Sequence, residues 1–478
     1  MEERKGFGSN FGFLMAAVGS AVGLGNIWGF PNKMGASGGF TFLIIYLILA
    51  VICGFIVMLG ELALGRKTGK GAIAAYRAIS KKFKWVGWLG VASAFLIMSF
   101  YCALGGYCIK YVVLNVGNLF GAGFGSGGMS GAEVFGEFMG NQLESVIYGL
   151  IFVVITMLIV MGGVGGGIEK VCSVGMPALF VILLICIIRA CTLPGAVDGL
   201  KYMFVPGWAL EHGVIDKAPD LLTVLSTAGG QMFFSLSLGM GAMITYGSYL
   251  NKKENIEKNA LLIVIMDTMV ALMAGLCVIP GRFALDPTGK LGGPSLLFVT
   301  MQNVFDNMPL GSVFGILFYL LVVFAAISSS ISLLEVIVAH FCDKAREKGK
   351  GDKRKAYSLI AAAAVGVGCI LVCLDCLGGA GISPFNILGM NPENGLPMWS
   401  DCWLDFFDCI SEGILMPLGA LLMCLCIGWE IGPKVVDEEV TLEGQNFKLR
   451  GFFNICVKII TPLGMLLVLY GQIKDFFF

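Results

Sequence analysis

Gly19-Ser20-Ala21-Val22-Gly23-Leu24-Gly25-Asn26-Ile27-Trp28-Gly29-Phe30-Pro31 places four glycines inside an apolar run long enough to cross a bilayer. A helix broken in hydrocarbon leaves backbone N–H and C=O groups without partners. Such a break is stable only where the freed groups are buried in protein or bind something polar. The segment therefore predicts a mid-membrane site for an ion or a small polar molecule.

The 478-residue chain is 57% hydrophobic and 13% charged, with mean hydropathy +0.85 and zero net charge. This is the composition of a polytopic membrane protein, and it gives no support to a nucleic-acid partner. At about 20 apolar residues per spanning helix, eleven spans are expected, near 10–32, 39–65, 86–116, 145–162, 171–193, 221–250, 257–281, 309–341, 357–377, 404–430 and 452–473. The first reads as a retained span and not a cleavable signal, being too long and carrying Asn26 and Trp28. The 16 cysteines lie mostly in apolar runs, where they read as small hydrophobes, and two histidines, His212 and His340, give little support to a zinc site.

Of 32 Lys and Arg, 23 fall in the loops on the face that carries the N-terminus and 7 on the other, with Lys110 and Lys458 inside spans. The positive-inside rule then puts the N-terminus in the cytoplasm, and an odd number of spans puts the C-terminus outside. No Asn-x-Ser/Thr sequon occurs, so a eukaryotic surface protein gains no support and a prokaryotic inner membrane is expected. No soluble domain is apparent, and residues 1–478 read as one transmembrane domain.

The sixth span repeats the signal of the first, because Ser235-Leu236-Ser237-Leu238-Gly239-Met240-Gly241 again punctures an apolar helix. Two breaks five spans apart predict an inverted-topology pair, residues 10–193 and 221–430, with an extra helix at 452–473. Small residues that let helices pack closely are the other reading of each break.

Gly19–Pro31 resembles the first-helix signature of the neurotransmitter:sodium symporter family. Glu61-Leu62-Ala63-Leu64-Gly65-Arg66, Phe233–Gly239 and Ala325-Ala326-Ile327-Ser328-Ser329-Ser330 match it further, in order and in spacing. The resemblance implies an all-α fold of the bacterial leucine-transporter type, with helices one and six broken, a function in sodium-coupled amino-acid symport by alternating access, and no enzyme activity. A proton-coupled carrier of the same fold and a non-transporting amino-acid sensor are the alternatives.

Two sodium sites are implied. One uses the Ala21 carbonyl, Asn26, Ser235 and Asp267 with the substrate carboxylate; the other uses the Gly19, Val22 and Ala325 carbonyls with the Ser328 and Ser329 hydroxyls. All can offer the hard oxygens that sodium requires, although the serines also suit helix packing. Asp267 lies in an apolar run where an unpaired carboxylate is costly. Family members that require chloride recruit an anion to balance sodium; Asp267 supplies a fixed charge, so no chloride requirement is expected. The other reading of Asp267 is a proton relay.

For the substrate, the resemblance implies that the Leu24 and Gly25 amides and the Tyr101 hydroxyl hold a carboxylate. The Ala21, Phe234 and Ser235 carbonyls and the Ser237 hydroxyl would hold an ammonium. Ile97, Leu104, Phe234, Met240, Ser329 and Leu333 would line an uncharged pocket, which favours a hydrophobic or aromatic amino acid.

An inner gate of Arg4 and Asp343, with Phe7 and Tyr249 beside it, is also implied, although Arg4 equally obeys the positive-inside rule. Outside, Gln231, Asp405 and Asp408 remain, but Gly29 stands where most members carry the gate arginine. The usual outer salt bridge is therefore not expected. Glu61 either solvates a helix end or, as the resemblance implies, hydrogen-bonds the broken backbone.

Overall fold

A computed structural model describes residues 6–285, 296–349, 353–388 and 400–477, and those residues form helices and loops without a strand. Among the described residues, nine helices are long and apolar enough to cross a membrane, including Phe40–Thr68, Val86–Phe120, Ile256–Leu285 and Gly311–Glu347. A tenth span is the pair Asn10–Ala21 and Gly25–Ala36, bent by 46° at a short break. Leu221–Ser235 and Ala242–Gly247, separated by the predicted second break, occupy the place of span six.

Each break has a local cause. Ser9 caps span one, its hydroxyl accepting from the Gly12 N–H at 2.9 Å, and the helix ends where Val22 turns extended at φ −74°, ψ 105°. A side chain at Gly23 would run into the Tyr101 hydroxyl and Ser329, so glycine there lets spans three and eight close on the break. In span six, Ser237, Gly239 and Gly241 adopt φ of 54°, 78° and 76°, the left-handed region that no continuous helix allows.

Val86–Phe120 and Gly311–Glu347 are the most deeply buried spans and pack on each other beside both breaks. Val164–Cys191 lies at the periphery, where Val174, Val181 and Ile188 are 71%, 61% and 60% exposed. Exposed β-branched residues over a whole span are the signature of a lipid-facing surface.

Candidate functional site

Apart from the Ala21 carbonyl, the predicted cation ligands come together in two clusters at the break of span one. In the first, Asp267 is fully buried in span seven. Its carboxylate accepts from the Ser235 hydroxyl at 3.2 and 3.0 Å and from the Asn26 amide at 2.7 Å. The Asn26 amide also donates to the Ser235 hydroxyl at 2.9 Å and to the Asp267 carbonyl at 3.2 Å, while its oxygen accepts the Gly23 N–H at 2.9 Å. Asn26 thus presents nitrogen to the carboxylate, and to serve a cation it must turn its oxygen inward. The buried Tyr46 hydroxyl faces the same carboxylate without completing a hydrogen bond. An acidic pocket with an under-satisfied hydroxyl fits a small hard cation.

The second pocket is built from uncharged oxygens. Ser329 donates to the Gly19 and Val22 carbonyls, both at 3.2 Å, and Ser328 reaches the Val22 carbonyl at 3.4 Å and the Ala325 carbonyl at 2.9 Å. Each of the five predicted ligands therefore lies within hydrogen-bond reach of at least one other. Carbonyls at the end of a broken helix lack their intrahelical donors, which leaves their lone pairs available to a cation.

Between the pockets, the Leu24 N–H donates to the Tyr101 hydroxyl at 2.9 Å, and the Phe234 ring packs on Gly25. The two groups predicted to share a carboxylate are thus already joined. Ile97 and Leu104 flank Tyr101 on one face of span three, and with Met240 and Leu333 they are buried. Ser237 departs from its predicted role, because its hydroxyl donates to the Ser20 carbonyl at 2.7 Å and ties the second break to the first. Its lone pairs remain able to accept from an ammonium. Glu61, 1% exposed, accepts the Gly239 N–H at 2.8 Å, so of its two readings the backbone clamp is the one found.

At the outer end, Gln231 donates to the Gly25 carbonyl at 2.7 Å and packs on Gly29, filling the space of an arginine stem. A charge pair nevertheless forms. Lys33, one turn beyond Gly29, meets Glu412 in span ten, and half-buried Asp408 lies against that pair. Asp405, the expected partner, instead engages the Cys402 thiol at 3.2 Å. The expectation concerned the usual arginine pair; the pair found is a different one, whose cation stands one turn along the helix from Gly29. No motif marks Lys33 in the sequence.

At the inner end, Arg4 lies outside the described residues. Asp343 accepts the Gly71 N–H at 2.8 Å and lies 3.8 Å from Arg346. Tyr249 donates to Glu335 at 2.6 Å, and Glu335 pairs with Arg354, which also reaches the Val160 carbonyl at 2.9 Å. Phe7 packs edge-on against Tyr246 and Tyr249 at 5.8 and 6.3 Å. Glu335 and Arg354 were missed, although a carboxylate in the run Ile331–Val338 carries the signal that marked Asp267. Glu169 was missed too; it holds the start of span one by accepting from the Gly8 N–H at 2.8 Å and the Ser9 hydroxyl at 3.0 Å.

The model of the sodium:neurotransmitter symporter family matches residues 4–119 and 137–477. Over 477 residues the chain is 34% identical to YhdH of Bacillus subtilis, an uncharacterized sodium-dependent transporter, with 97% of each chain covered. An uncharacterized sodium-dependent transporter of Methanocaldococcus jannaschii is 28% identical over 482 residues, covering 98% of this chain and 90% of that one. The fold superposes on the crystal structure of MhsT in complex with L-phenylalanine with a TM-score of 0.81 at 33% identity, covering 98% of this chain and 100% of that one. With its broken spans, its two oxygen-lined pockets and this agreement along nearly its whole length, the chain belongs to the sodium:neurotransmitter symporter family.

Proposed function

We propose that this sodium-dependent symporter imports a hydrophobic or aromatic amino acid with two sodium ions and no chloride, from a prokaryotic inner membrane in which its N-terminus is cytoplasmic. The observation that carries the reading is the joining of Asp267, Asn26 and Ser235 across spans one, six and seven beside the Leu24–Tyr101 contact. A substrate carboxylate at the Leu24 and Gly25 amides sits next to that acidic pocket, so sodium there screens one carboxylate from the other. Substrate and sodium then bind better together than apart. The apolar lining and the phenylalanine held by MhsT support the substrate class.

The neutral pocket has a different task. Sodium among Gly19, Val22, Ala325, Ser328 and Ser329 joins the inner half of span one to span eight. Its departure frees that half to swing inward, after the Phe7–Tyr249 contacts part. At the outer end, Lys33 and Glu412 close over the substrate, and a partly exposed pair of this kind contributes on the order of 0–1 kcal/mol, weak enough to open each cycle.

Uptake of labelled amino acids into proteoliposomes tests the proposal, with sodium, potassium and proton gradients imposed separately and with gluconate replacing chloride. Uptake of phenylalanine, leucine or tryptophan driven by sodium and unchanged in gluconate is expected. Collapse in gluconate defeats the chloride claim, and uptake driven only by protons defeats the coupling.

A further inference from the structure

The face that carries most of the Lys and Arg holds a cleft of about 260 Å³ that the transport cycle does not use. Three cations line it: Arg77 from the short helix Ala72–Ile79, Lys84 from the following loop and Lys344 near the end of span eight. Its other walls are Ile73, Trp85, Trp88 and His340, with Trp88 edge-on to His340 at 5.2 Å. Arg77 shares Glu347 with Lys70, at 3.0 and 3.3 Å, and Glu430 is occupied by the Ser80 hydroxyl at 2.7 Å. Among the described residues no ion pair joins Lys84 or Lys344 to a carboxylate. No acid lines the cleft among the described residues; Glu347 offsets Arg77, and Lys84 and Lys344 leave the cleft net positive.

The level of the cleft follows from helix length. Span three has 35 residues and span eight 37. At 1.5 Å per residue each exceeds the roughly 30 Å of hydrocarbon by several turns. Trp85 caps the first turn of span three, and Lys344 lies in the last turn of span eight, so both sit where the excess emerges at the headgroups. Trp85 and Trp88 are 47% and 55% exposed. Indole rings open to water would be poorly placed, whereas at the membrane interface they are favoured.

We propose that this cleft seats the phosphate of an anionic phospholipid from the cytoplasmic leaflet. Lys84 and Lys344 meet the phosphate, the remaining donors of Arg77 steady it, and the two tryptophans lie along the glycerol and upper acyl chains. Clustered cations flanking a span attract anionic lipid in this way, and two of them together change affinity on the order of 30-fold. The occupant bridges the Ala72–Ile79 helix and span eight. Because that helix adjoins Gly71, whose N–H is held by Asp343, lipid would brace the inner face of the transporter.

Native mass spectrometry of the delipidated protein in detergent tests this, with phosphatidylglycerol, phosphatidylcholine or inorganic phosphate added. In micelles lipid reaches both faces, so the readout does not depend on membrane orientation. The wild type should prefer phosphatidylglycerol, and Lys84→Gln with Lys344→Gln should weaken its retention on the order of 30-fold. Lys81→Gln with Lys82→Gln, an equal loss of charge beside the cleft, should leave retention nearly unchanged. Equal loss in both double variants reduces the effect to surface charge and overturns the site. No preference over phosphatidylcholine, or inorganic phosphate binding as tightly as the lipid, overturns the assignment to a lipid. A sodium-dependent thermal shift kept by every variant shows that each is folded.

Discussion

The two broken spans solve one problem in different ways. In span six the freed backbone is held by the protein itself: Glu61 takes the Gly239 N–H, Ser237 donates to the Ser20 carbonyl, and three residues have positive φ. In span one the freed groups are held mostly by side chains of the proposed sites themselves: Tyr101 takes the Leu24 N–H, Asn26 the Gly23 N–H, and Ser328 and Ser329 the Val22 and Gly19 carbonyls. A break satisfied from within is a fixed part of the scaffold. One satisfied by what it binds can report occupancy, and this difference suits span one to be the part that moves.

The largest expected effect separates the breaks by glycine. Gly239 has φ 78°, and a Cβ there would enter the Met416 carbonyl, a backbone atom that cannot rotate away. Gly239→Ala should cost several kcal/mol, more than ~3, and yield no monodisperse protein by size-exclusion chromatography. Gly23→Ala meets only the ends of the Tyr101 and Ser329 side chains. That variant should fold and purify, and its uptake should fall at least tenfold. If both variants fold, or neither does, the contrast between the breaks is lost.

Asp267→Asn comes next. Removing a buried charge lacking a cationic side-chain partner should leave stability without sodium unchanged or raised. The apparent sodium affinity should fall on the order of 10–100-fold, since about 1.5–3 kcal/mol of charge-assisted interaction is lost. Uptake should then become responsive to chloride, which supplies the missing negative charge. A variant equally destabilised with and without sodium would mean that Asp267 belongs to the scaffold, as Glu61 does.

Much of this contrast was legible along the chain, for a physical reason. Glycine clusters in apolar runs, and a carboxylate such as Asp267 within Leu261–Asp267, are anomalies visible locally, and what membrane burial demands of them is severe. The structure brings Asp267 together with Asn26 and Ser235, and Ser328 and Ser329 with Gly19 and Val22; those pairings were implied by the family resemblance and not by the anomalies alone. The outer pair was not legible. Lys33 and Glu412 meet only because of how spans one and ten face each other, and Gly29 drew attention to an absence one turn away from the replacement. The orientation of the Asn26 amide and the turn of Asp405 toward Cys402 likewise depend on tertiary neighbours. Glu335 is legible by the same rule as Asp267, a carboxylate inside an apolar run.

Glu61→Gln probes the fixed break. The substituted amide keeps an oxygen for the Gly239 N–H but loses the charge that strengthens the bond, about 1–2 kcal/mol. For a protein of this size a few degrees of melting temperature should disappear. Because the clamp is internal, the loss should be the same in sodium and in potassium. A loss confined to sodium would make the second break ligand-held too.

Tyr101→Phe is the smallest perturbation and bears on the mobile break. It removes one hydroxyl, leaving the Leu24 N–H without its acceptor in the absence of substrate, at a cost of about 1 kcal/mol. A substrate carboxylate can restore that acceptor, so the cost should be largely recovered on binding. Melting temperature should therefore drop slightly without substrate and recover when substrate and sodium are added together. Set against this, the carboxylate loses the Tyr101 O–H donor, and the substrate KM should rise about fivefold, equivalent to ~1 kcal/mol. A destabilisation that substrate cannot reverse would place Leu24 with the protein-held backbone of span six, and the line between the two breaks would have to be redrawn between Leu24 and Asn26.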